Sequence, residues 1–98
     1  MPKGQDNSGA QVYPIKLSDE FIEGLARVWS PRVLDHIQSL VSLLPTNPEL
    51  GTTDVRKSLL RQYGVGLRKL CVSMFVIVYR FNEEVVEVLA LEYGPNIA

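Results

Sequence analysis

From Leu67 to Leu91 the chain contains no glycine or proline and is dense in valine, isoleucine, tyrosine and phenylalanine. β-Branched and aromatic side chains suit a pleated surface, so this segment must supply a sheet. It divides into three antiparallel strands, 67–72, 75–81 and 85–91. The Ser73–Met74 step and the polar Asn82-Glu83-Glu84 mark the turns. In Phe75–Phe81 both faces are apolar: Phe75, Ile77, Tyr79 and Phe81 on one, Val76 and Val78 on the other. Such a strand belongs in the middle of a covered sheet. Arg80 interrupts its face and must reach the sheet's end or find a partner.

The cover comes from upstream. Ser18 or Asp19 caps a helix whose positive end is matched by Asp19, Glu20 and Glu23. Phe21, Ile22, Leu25, Val28 and Trp29 form its apolar face, with Trp29 expected as a packing anchor. Ser30-Pro31 ends that pattern and starts another, with serine as cap and proline at the first helical position. Leu34, Ile37, Val41 and Leu44 carry this second helix until Pro45 and Pro48 stop it. Before the helices, Val12–Leu17 reads as a short strand that Pro14 confines to a sheet edge. Residues 1–11 are polar and aperiodic, the composition of a disordered tail. Residues 53–63 fit either a helix capped by Thr53 and ended by a left-handed Gly64, or an ordered loop. The order implies one α+β domain over 12–98, a four-stranded antiparallel sheet with the helices on one face.

At 98 residues there is room for one core. The longest apolar run, Phe75–Tyr79, is far shorter than the roughly 20 residues of a membrane span. No signal-peptide segment is evident at the N-terminus, which suits the cytoplasm. One cysteine, Cys71, cannot form an internal disulfide and is expected as a small buried apolar residue. One histidine, His36, gives no metal-ligand set, and nothing in the sequence calls for a cofactor. The formal net charge is −1, unlike a nucleic-acid-binding domain. Yet no acidic residue lies between Val55 and Asn82, where Arg56, Lys57, Arg61, Arg68, Lys69 and Arg80 fall. A local basic surface on an acidic chain is the consequence.

Three pieces of this sequence resemble the RelE/ParE superfamily of bacterial type II toxins. They are Asn47-Pro-Glu-Leu-Gly51 with Gly66-Leu-Arg-Lys-Leu70, then Phe75-Val-Ile-Val-Tyr-Arg80, then Val86-Glu-Val-Leu-Ala-Leu91. The resemblance implies a RelE/ParE-like fold and a growth-inhibiting toxin neutralised by a cognate antitoxin. It implies one of two targets: mRNA cut in the ribosome without a metal, or DNA gyrase. The antitoxin's landing site would be the edge strand at 12–17 or an apolar groove beside the helices.

Departures from the family pattern bear on the mechanism. Val76 stands where RelE-like toxins commonly carry arginine, and Tyr93-Gly94-Pro95-Asn96 where many relatives read His-Gly-x-Arg. Metal-independent RNA cleavage needs a base, an acid and cations for the phosphate. Arg68, Lys69 and Arg80 supply cations and Tyr93 an acid, but no base is evident. Arg68, Arg80 and Tyr93 are therefore the catalytic candidates, and Arg56, Lys57, Arg61 and Lys69 the target-binding ones. The plainer alternative treats Arg56, Lys57 and Arg61 as a solvated helix face. It treats one of Arg68 and Lys69 as paired with Glu87 or Glu92, and the whole as a non-catalytic protein-binding domain of the same fold.

Overall fold

The structure, a computed structural model, describes residues 11–94. Apart from Gln11, the expected tail at 1–11 lies outside the described residues, as does the segment after Gly94. The chain forms β1 (Ile15–Leu17), α1 (Asp19–Ala26), α2 (Pro31–Leu43), α3 (Lys57–Tyr63), β2 (Leu67–Val72), β3 (Phe75–Phe81) and β4 (Val86–Tyr93). The four strands make one sheet in the order β1-β4-β3-β2.

Local chemistry sets most boundaries. Ser18 caps α1, its hydroxyl oxygen accepting from the Phe21 amide at 3.0 Å. The same hydroxyl donates to the Leu89 carbonyl at 2.6 Å, so the cap also ties α1 to β4. Gly24 lets α1 approach closely, since a Cβ there would sit 2.9 Å from Leu91 Cβ. Ser30 and Pro31 start α2 as the sequence suggests. Ser73, at φ 55°, turns β2 into β3, and the Asn82 side chain accepts from the Glu84 and Val85 amides to turn β3 into β4.

The three C-terminal strands are antiparallel, but β1 pairs parallel to β4, Ile15 beside Val86 and Leu17 beside Val88. The sheet is therefore mixed, not wholly antiparallel. A three-residue strand has too little pattern to encode its partner's direction; the helices that return the chain decide it. Val78 pairs with Ala90 and Tyr79 with Val88, leaving Leu89 as an extra residue in a bulge. The bulge switches the alternation of β4, so Val86, Val88 and Leu91 share a face while Ala90 joins the other.

Two apolar clusters result. On the first face α1 and α2 bury Phe21, Ile37, Leu44, Val72, Ile77 and Tyr79 with Val86 and Val88. On the second face Val55 and Leu59 cover Leu67, Val78 and Ala90. The expected helix pair thus lies on one face, and α3 covers the other. The double-sided apolar pattern of Phe75–Phe81 required that second cover.

Four further expectations need correction. α3 begins at Lys57, with Arg56 at the cap position and no side-chain cap, because Thr52 pairs with Lys69 and holds the preceding backbone to the sheet. Gly64 ends it at φ 94°, ψ −171°, a positive φ outside the left-handed helical region. Trp29 is 90% exposed, since the apolar stripe of α1 stops with the helix at Ala26 and Trp29 falls in the link to α2. Cys71 is exposed, on the second face and opposite Val76.

Candidate functional site

The two-residue turn at Ser73–Met74 fixes the β2–β3 register and with it the direction of every charged side chain. Arg68 pairs with Tyr79 and Leu67 with Arg80. Because successive residues alternate faces, Arg68 lies on the α1–α2 face and Arg80 on the α3 face.

Each arginine is held by main-chain oxygen and a carboxylate. Arg68 donates to the Gly51 carbonyl at 2.8 Å and the Glu49 carbonyl at 3.4 Å, with the Glu49 carboxylate 3.8 Å away. Beneath it, the wholly buried Tyr79 hydroxyl accepts from the Gly51 amide at 2.7 Å and donates to the Pro48 carbonyl at 2.8 Å. Burial pushes this phenol's pKa up, opposed by the Gly51 amide and the Arg68 charge. Gly51 cannot be another residue: a Cβ would lie 2.6 Å from the Lys69 carbonyl and 2.9 Å from the Tyr79 hydroxyl. Arg68, Tyr79 and Gly51 together clamp the loop that follows α2.

Arg80 donates to the Tyr63 carbonyl at 2.8 Å, closing the end of α3, and its Nε lies 3.5 Å from Glu87. The Tyr63 hydroxyl donates to Glu20 at 3.3 Å, linking α3 to α1. Partial burial, then the Glu20 charge, pushes the Tyr63 phenol up to about 12.

Tyr93 is exposed on the first face, edge-on to Phe75 with ring centroids 5.6 Å apart. Phe75 lies four residues along β3 from Tyr79, the partner of Arg68, a separation of roughly 13 Å. The three catalytic candidates therefore do not converge. The four target-binding candidates do share a side: Arg56, Lys57 and Arg61 are exposed on or beside α3, and Lys69 points to the same face of the sheet. His36 is exposed on α2. Among the described residues no group of three His, Cys, Asp or Glu side chains could hold a metal, and no helix is long and apolar enough to cross a membrane.

Two open apolar surfaces flank the helix pair. Among the described residues, the outer edge of β1 leaves the backbone groups of Ile15 and Leu17 unpaired, over an apolar cleft of about 230 Å³ bounded by Phe21, Leu25 and Val41. A groove of about 540 Å³ runs between the α1–α2 link and the β2–β3 turn. Val28, Val33, Phe75 and Leu91 line it, and exposed Trp29, Met74 and Tyr93 edge it. Sequence reasoning expects an apolar groove beside the helices but places Trp29 in the core rather than on such a groove's rim. The signal available was its position, directly before the Ser30-Pro31 helix start, where no helix remains to turn it inward.

A family model described as the ParE toxin of a type II toxin–antitoxin system, parDE, matches residues 15–94. Solved structures similar to this fold include a chain of the RelBE2 toxin–antitoxin complex from Mycobacterium tuberculosis. It has a TM-score of 0.65 and 16% identity, over 84% of this chain and 98% of that one. No curated protein matches the sequence.

Proposed function

The chain belongs to the ParE toxin family of type II toxin–antitoxin systems, and from that premise we propose that it arrests growth by binding DNA gyrase rather than by cutting mRNA. The observation that carries this reading is the commitment of Arg68 and Arg80. They lie on opposite faces of the sheet, each spent on a backbone carbonyl and a carboxylate. A nuclease needs cations, acid and base around one phosphate. Arg68 and Arg80 point away from each other, and Tyr93 is far along the strand. A protein target asks for no such convergence. It asks for a contact surface, and the α3 side offers one in Lys57, Arg61 and Lys69 with Arg56 beside them. A basic face on a chain of net charge −1 steers the protein toward an acidic surface by one side only.

A cognate antitoxin completes the unit, as in the RelBE2 complex that shares the fold. It holds the toxin inactive in the cytoplasm until it is lost. Induced expression in a bacterial host tests the reading, with colony-forming units counted beside primer extension on a translated reporter. Arrest with filamentation, DNA damage and intact mRNA is the expected result. New ends inside codons, abolished by Arg68→Ala or Arg80→Ala, would establish the nuclease instead. Folded protein without arrest would leave a protein-binding domain that has lost its toxicity.

A further inference from the structure

The cations on the second face of the sheet differ in what they hold. Arg80 is tied to the Tyr63 carbonyl and to Glu87. Lys57, Arg61 and Lys69 make no ion pair among the described residues. Carboxylates beside α3 are engaged elsewhere: Glu87 lies against Arg80, Glu20 accepts from the Tyr63 hydroxyl, and the charge of Glu92 acts on the same phenol. Asp54, in the link before the helix, forms no ion pair with either cation of α3 among the described residues, and the first turn of α3 carries no acidic residue.

Helical geometry aims two of these cations together. Lys57 and Arg61 stand two residues before and two after Leu59, the buried residue of α3. At about 100° per residue both point about 160° away from Leu59, about 40° apart and about 6 Å along the axis. They occupy the side of α3 farthest from the sheet, and both are exposed. Lys69, half-buried on β2, lies on the same face of the sheet. What that side lacks decides the partner. The apolar side chains of α3, Leu59, Leu60 and Tyr63, all pack into its own cluster with the sheet. A protein interface centres on aromatic or apolar anchors and is poor in lysine. A phosphate backbone asks only for cations and polar groups.

We propose that the outward side of α3 binds the phosphate backbone of duplex DNA through Lys57 and Arg61, with Lys69 as a third contact. That this DNA is the segment gyrase holds rests on the reading of the chain as a gyrase toxin. A net charge of −1 gives the protein no long-range pull on DNA, so three contacts alone bind weakly. Gyrase supplies the rest by holding the duplex beside the bound toxin, which raises its effective concentration.

The test is fluorescence anisotropy of a labelled, mixed-sequence DNA duplex, titrated with the protein at several salt concentrations. Three phosphate contacts predict a slope of about −2.7 in log K against log salt, or about 40-fold weaker binding from about 50 to about 200 mM salt. Lys69→Gln should reduce the slope to about −1.8, about 12-fold over the same range. Lys57→Glu/Arg61→Glu should abolish binding. Arg27→Glu/Arg32→Glu makes the same change of net charge at exposed positions of α1's end and α2, and should keep the slope near about −2.7. A flat salt dependence, or binding lost equally in both double variants, would overturn the proposal. So would retention of the toxin by DNA-free gyrase through Lys57 and Arg61 with no duplex binding, which would make the partner the enzyme's own acidic surface. Duplex binding with the expected slope, from protein that leaves gyrase fully active, would overturn the gyrase reading and leave the DNA contact standing.

Discussion

Tyr79→Phe removes one oxygen atom and tests whether the loop after α2 hangs on it. That oxygen is wholly buried and makes two short hydrogen bonds, to the Gly51 amide and the Pro48 carbonyl. Phenylalanine fills the same space, so no cavity term enters. What is lost is the acceptor for a buried amide, and a buried donor left unpaired costs about 1–3 kcal/mol. Taking about 2 kcal/mol, the midpoint of thermal unfolding should fall by roughly 8–16 °C in a domain of this size. The comparison is Tyr13→Phe, whose hydroxyl bonds, among the described residues, to exposed Gln11 alone at 3.1 Å; that change should stay within about 0.5 kcal/mol. Urea titrations of both variants, with matching slopes, make the measurement. The clamp also predicts coupling. Arg68 holds the same loop from above, so Arg68→Ala should cost less in the Tyr79→Phe background than in the parent. If Tyr79→Phe unfolds within about 0.5 kcal/mol of the parent, or the two changes simply add, the clamp is not what fixes the loop.

Other expectations follow from single contacts. Gly51→Ala should destabilise more than Tyr79→Phe, because its Cβ meets the Lys69 backbone carbonyl at 2.6 Å and a backbone atom cannot swing aside; loss of soluble protein or a lower urea midpoint would show it. Ser73→Gly should stabilise by up to about 1 kcal/mol, relieving a residue at φ 55°, as read by the same titration. The Tyr63 phenol, raised in the folded state from 10.0 to about 12, contributes its full stability below pH 10 and loses it as pH rises through 12. Tyr63→Phe should therefore flatten stability against pH in that window, and an unchanged slope would remove Tyr63 as its source.

Much of this architecture was legible because it depends on local rules. Ser18 and Ser30 cap where short polar side chains before an apolar stripe must, and the meander follows from period-two patterning broken by turn residues. What failed depended on tertiary context. Nothing in Ile15–Leu17 tells whether its neighbour runs parallel, and nothing in Thr53 tells that Thr52 is held by Lys69. Trp29 continues the spacing of the α1 stripe, but the helix that would aim it inward has already ended. The separation of Arg68 from Arg80 was within reach. A two-residue turn at Ser73–Met74 sets Arg68 against Tyr79, the immediate neighbour of Arg80, and adjacent residues of a strand face opposite ways. Their partners were not: Glu49 reaches Arg68 only because Gly51 brings the loop against β2, and the Tyr63 carbonyl reaches Arg80 only once α3 is folded on the sheet.

The most direct test of the central claim is a supercoiling assay with purified gyrase, relaxed plasmid, ATP and this protein. The account predicts that the protein inhibits supercoiling and traps cleaved plasmid, with activity weakened by Lys57→Glu/Arg61→Glu and kept by folded Arg68→Ala. Full supercoiling at every concentration, from protein that cuts reporter mRNA on translating ribosomes, would contradict it.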